Sequence, residues 1–219
     1  NQQYIGALML IADTTIEAAD VSFAGAVDTF ANESLTINAT SVDFAGAVGA
    51  QTALGAIRVN AAATLNGDVS TSGTQEFTPN LVLASDVNLT GSSITLANVD
   101  ATETSADESP ISLTITGDAV LNGAIGSVVP LGSLSTDSMT TISGGSIVAN
   151  DQNYAGPVAL PANLEIVGQG DTTFHGIVSG VGGLTTFTKT SLDAANTYTG
   201  PTNVVAASLT LNGSVTSDV

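Results

Sequence analysis

VSFAGAV at residues 21–27 returns as VDFAGAV at 42–48, one step of 21 residues along the chain. In both copies apolar residues alternate with small or polar ones, and a Gly follows the aromatic by two. Period-two alternation bounded by Gly, Asn, Asp and Ser is a strand signal. Gly25, Gly46 and Gly67 keep the same step, while Tyr4 to Phe23, Phe77 to Leu96 and Tyr154 to Phe174 are 19, 19 and 20 apart. Leu35 and Ile37, Leu113 and Ile115, and Leu209 and Leu211 begin further short alternating runs. No window carries a sustained helical period with caps. Short strands returning about every 20 residues predict an all-β fold, a parallel β-solenoid in which each coil of chain stacks on the last. Each coil adds about 4.8 Å, so roughly eleven coils give a rod about 50 Å long. Phe23 and Phe44, or Val21 and Val42, then stack one coil apart inside it. The recurring Gly marks a corner that needs positive φ or close backbone approach. It has none of the strand–loop–helix context of a phosphate loop.

A longer period is laid over the short one. Gln, an aromatic two residues on, then alternating aliphatics open three stretches: 2–16 (QQYIGALMLIADTTI), 75–89 (QEFTPNLVLASDVNL) and 152–166 (QNYAGPVALPANLEI). A looser copy runs from Asn196 through Tyr198 and Gly200 to Leu211. The steps from Tyr4 to Phe77 and from Phe77 to Tyr154 are nearly equal, the second longer by four. Phe23 to Leu96 still has the shorter step, whereas Phe44 to Leu121 has the longer one. GAVGAQTALGAI (46–57) likewise keeps the longer step to GAIGSVVPLGSL (123–134), so the extra residues enter between Leu96 and Leu121. That interval holds NVDATETSADESP (98–110), an acidic, Ser/Thr-rich stretch that reads as a loop inserted on a repeat scaffold. The chain is thus one continuous solenoid over 1–219, with modules at about 1–74, 75–151 and 152–219, the last diverging after about 176. Tandem Ig-like sandwiches of about 75 residues are the rival fold, but a sandwich gives no reason for so short a subperiod.

Composition narrows the partners. There are 20 acids against two bases, Arg58 and Lys189, for a net charge of −18. Nucleic acid is excluded, because phosphate binding needs clustered Lys and Arg. Anionic membrane surfaces are disfavoured for the same reason, and the longest apolar run, 4–12, is too short to insert in a bilayer. Without Cys there are no disulfides and no thiolate metal sites.

The stretch 178–213 departs from the modules: VSGVGGLTTFTKTSLDAANTYTGPTNVVAASLTLNG. It resembles the passenger-associated transport repeat of bacterial autotransporters in its Gly182-Gly183-Leu184 opening, its Thr188-Lys189-Thr190 step, its Ala195 to Gly200 segment and its alternating Val204 to Leu211 tail. Ala194 and Ala207 stand where that family has Gly. The earlier modules are similar to the repeats of filamentous-haemagglutinin-like adhesins and autotransporter passengers. The resemblance implies a right-handed parallel β-helix, displayed on a bacterial cell surface or released from it. The resemblance does not identify a ligand; the expected function is a non-enzymatic structural or adhesive segment, a rigid stalk or extracellular fibre element, and host or cell-surface glycans are expected candidate partners.

Chemistry-bearing residues are sparse. A Ser-His-Asp arrangement on His175, the single histidine, has no local signature. A carbohydrate-active β-helix enzyme, a polysaccharide lyase or hydrolase, is the rival function. Lyase chemistry wants a base beside a bound metal, and Arg58 has no acidic cluster next to it in sequence. Hydrolysis wants two carboxylates across a groove. No catalytic residue and no cofactor is therefore assigned, with one exception: Asp100, Glu103, Asp107 and Glu108 are candidate hard oxygen ligands for Ca²⁺. Their spacing fits neither an EF-hand nor a glycine-rich calcium repeat. Outward Thr ladders of the ice-binding kind are not expected, because Thr does not hold register from coil to coil. Neither end of the sequence reads as a polar capping repeat, so the expected neighbours are further repeats of the same polypeptide or end-to-end copies.

Overall fold

The structure, a computed structural model, describes residues 1–102 and 110–216. Among the described residues every element is a strand, and no helix occurs. The chain winds as a right-handed parallel β-helix of about eleven turns. One coil shows the plan: strands Gln2–Tyr4, Leu8–Leu10 and Thr14–Glu17 lie on three successive faces, and Asp20–Phe23 then pairs in parallel with Gln2–Tyr4. Longer strands wrap a corner. Leu35–Phe44 covers the third face up to Asn38 and the first face of the next coil from Ser41. All the strand pairs joining one coil to the next are parallel, which an antiparallel sandwich cannot supply.

Alternation decides what fills the tube. On the first face Tyr4, Phe23, Phe44, Leu65 and Leu83 occupy one register column. The rings of Tyr4, Phe23 and Phe44 stack with centroids 4.9 Å apart at each step. The third face stacks Ile16, Ile37, Val59, Phe77, Leu96, Leu121 and Ile142. The second runs from Val69 through Leu89, Ile115, Thr136, Tyr154, Phe174 and Leu192 to Leu211. Phe23, Phe44, Phe77, Tyr154 and Phe174 are buried, each worth about 1.5–3 kcal/mol of apolar transfer.

The sequence modules do not stack on one another. Tyr4 sits on the first face, Phe77 on the third and Tyr154 on the second. Each module therefore advances by three coils and two further faces, and the same motif opens on a different side of the rod each time. The coil that carries the chain from Leu96 to its partner Leu121 is longer than those on either side of it.

The corner glycines owe their identity to close approach. Gly25, Gly46 and Gly67 have no positive φ. A Cβ on Gly46 would lie 2.8 Å from the carbonyl carbon of Gly25 in the coil beneath. Positive φ is used elsewhere, at Gly49 (71°) and Gly126 (67°), which are matched positions of the long repeat.

Candidate functional site

The polar residues that recur with the module brace the rod. Gln2, Gln75 and Gln152 each donate from Nε2 to the carbonyl 15 residues ahead: Glu17 at 3.4 Å, Thr90 at 2.8 Å and Val167 at 3.5 Å. Gln75 also donates to Val69 O at 3.1 Å. The aromatic two residues on completes the clamp. Tyr4 Oη donates to Gln2 Oε1 at 2.8 Å, and Tyr154 Oη to Gln152 Oε1 at 3.0 Å. Burial pushes the Tyr154 phenol far up, so it remains a donor. The middle copy has Phe77, and Gln75 Oε1 is a buried oxygen with no donor. A second brace recurs eleven positions after each Gln. Oδ1 of Asp13, Asp86 and Asn163 accepts the backbone N–H of Ser34, Ser112 and Gly183 in the following coil, each at 2.8 Å.

Other chemistry-bearing residues are spent the same way. Asp100 Oδ1 accepts Val128 N–H at 2.8 Å and Val129 N–H at 3.3 Å, tying two coils together. Glu103, Asp107 and Glu108 lie outside the described residues. Among the described residues no three His, Asp or Glu side chains converge as a metal site. His175 spans coils: Nδ1 is 3.0 Å from Asp193 Oδ2 and Nε2 is 3.1 Å from Asn153 Oδ1. Ser191 Oγ donates to Asp193 Oδ1 at 2.7 Å. The hydroxyl thus bonds the carboxylate instead of the imidazole, which is not the wiring that activates a serine. Hydrogen bonds from Ser191 and Asn212, with His175 alongside, hold the Asp193 carboxyl below its usual range. Arg58 and Lys189 pair with Glu76 (3.4 Å) and Asp171 (2.8 Å), each one coil away on the third and second faces.

Sequence reading missed the buried hydroxyl pairs. Thr140 donates to Thr136 at 2.8 Å, Thr186 and Thr190 are 2.6 Å apart, and Tyr198 and Thr202 are 2.6 Å apart, all inside the tube. Each pair is spaced by four residues and reaches across a corner, so each hydroxyl finds a partner where the column would otherwise bury it alone. Thr or Tyr followed four residues later by Thr, astride a predicted corner, is the signal that would have found them.

The first face carries a shape suited to an extended ligand. Its outward column is Gln3, Ser22, Asp43, Thr64, Val82 and Asp100, one residue per coil. Two shallow clefts of about 510 Å³ each lie along it and meet at Val82. Asp20 and Ser41, bonded at 2.8 Å, flank one cleft. Asn98 donates to Asn80 at 3.0 Å beside the other. Together they form a trough about 25 Å long at one coil per ~4.8 Å. Asp43 is exposed in it, with no hydrogen-bond or ion-pair partner among the described residues. No family model, curated protein or solved structure matches the chain.

Proposed function

We propose that this chain is a non-enzymatic structural or adhesive segment of a large bacterial cell-surface or secreted protein, serving as a rigid stalk or fibre element. The observation that carries the reading is the bracing that recurs with each module. The Asp/Asn bracket ties coil to coil and the Gln clamp holds a carbonyl two faces further along the winding, at matched positions on all three faces of the rod. Such ties suit a body that must keep its length under load. The resemblance of 178–213 to autotransporter passengers supports a surface location. Neighbouring repeats of the same polypeptide, or further copies end to end, are its natural partners, since stacked coils share one strand spacing.

Two experiments test this. In single-molecule pulling, a stalk resists until coils give way in discrete steps; smooth extension at negligible force would count against it. Incubation with acidic and neutral polysaccharides is expected to leave them intact. Depolymerisation above background, abolished by a point substitution in the trough, would establish the enzymatic alternative instead.

A further inference from the structure

We infer that the first-face trough is a binding surface for an extended, cationic, polyhydroxylated chain, an amino-sugar polysaccharide. This deepens the adhesive reading and rests on it. Shape comes first: two clefts joined at Val82 make a channel open along its length, suited to a linear polymer lying parallel to the rod. Its side chains are hydroxyls (Ser22, Thr64), amides (Asn80, Asn98) and carboxylates (Asp43, Asp100), the groups that hydrogen-bond sugar hydroxyls.

A peptide finds no foothold there. Strand addition needs an unpaired sheet edge, and the edge of Gln2–Tyr4, which pairs with Asp20–Phe23 alone, runs across the end of the trough instead of along it. Helix, proline-rich and phosphopeptide recognition need an apolar groove, exposed aromatics or an Arg cluster. The described residues of the trough include no aromatic and no Arg, and its accessible apolar side chains, Ala62, Val82 and Val128, stand apart among polar neighbours.

Charge then selects among glycans. Asp20, Asp43 and Asp100 face the trough, and both bases of the chain are paired with acids on other faces. A uronic-acid or sulfated polymer would be repelled, and protonated amines at intervals along the chain would be attracted. With no aromatic platform in the trough, affinity is spread thinly over many sugars and depends on salt.

The test uses the whole chain with three soluble probes of matched length: a glucosamine oligomer, its N-acetylated counterpart and a galacturonate oligomer. Titration calorimetry at low salt is expected to show binding of the glucosamine oligomer, at least about tenfold tighter than the acetylated one, with the galacturonate oligomer silent. Asp43→Asn should weaken binding severalfold, and Thr64→Lys should abolish it. Glu17→Gln, on the third face, should change nothing. Circular dichroism melts establish that each variant is folded. Equal binding of the acetylated or anionic probe, an unaltered Thr64→Lys, or tighter binding of an oligolysine of equal charge would overturn the proposal. Any of these outcomes leaves the stalk reading standing, since pulling experiments address that separately.

Discussion

Phe77→Tyr should make this protein more stable, although it adds a hydroxyl to a fully buried site. Gln75 lies 1% exposed, its Nε2 bonded to two carbonyls and its Oε1 without a donor. In the other two modules the phenol of Tyr4 or Tyr154 supplies that donor at 2.8–3.0 Å from the equivalent Gln. Residues 75 and 77 point into the same tube, as 152 and 154 do. A buried acceptor left unbonded costs about 1–3 kcal/mol, and a completed hydrogen bond nets about 0.5–1.5 kcal/mol. The gain expected is therefore about 1 kcal/mol, or a rise in Tm of about 2–4 °C for a chain of this size. The reverse change, Tyr154→Phe, should orphan Gln152 Oε1 and cost about 1–3 kcal/mol. Urea and thermal melts measure both. Specificity comes from a double-mutant cycle: in a Gln75→Met background the benefit of Phe77→Tyr must vanish. If Phe77→Tyr destabilises, or stabilises equally without Gln75, then the clamp is not what the tyrosines are for.

Phe44→Asp should unfold the coils around it, because it removes a stacked ring worth about 3–5 kcal/mol and buries an unpaired charge. Solenoid stability is a nearest-neighbour property, so hydrogen exchange should show protection lost near residues 20–65 and retained near 140–200. Gly46→Ala should cost about 1–3 kcal/mol, because its Cβ would press on the backbone of Gly25 and Ala26. Gly145→Ala, which meets nothing within 4 Å, should stay within about 0.5 kcal/mol. Asp193 and Glu33 both have carboxyls held below the usual range, the first chiefly by Ser191 and Asn212, the second by Thr29 and the Ala31 N–H. Their contribution is complete above the unfolded carboxylate pKa of about 4 and is lost as pH falls through the lower folded values. Urea melts from pH 5 downward should accordingly show a shallower loss for Ser191→Ala than for the parent; identical slopes would refute the assignment.

Much of the architecture was readable beforehand because a solenoid writes its geometry into its spacing. The length of one coil, the inward aromatics and the stacking of Phe23 on Phe44 all follow from alternation at a fixed interval. The corner Gly was recognised as well, but its reason was left between two causes, and the structure assigns Gly46 to close approach. The polar residues were harder. Asp100 read as a candidate Ca²⁺ ligand, and Asp13 and Asp86 drew no reading, because nothing local says that a carboxylate will meet an N–H a whole coil away. The candidate trough was equally hidden. Ser22, Asp43, Thr64 and Asp100 come together only once the intervening coils, which are unequal in length, bring them into one column.

The QxY/F stretches show the division most clearly. By itself the sequence determined that they repeat, that their aromatic is buried and that strands follow, since these depend on alternation and spacing alone. Only the tertiary structure decided that successive copies open on the first, third and second faces, and that each Gln reaches a carbonyl two faces further along the winding. Which residues meet across a coil depends on the length of every coil between them, and that sum is fixed only when the whole chain is wound.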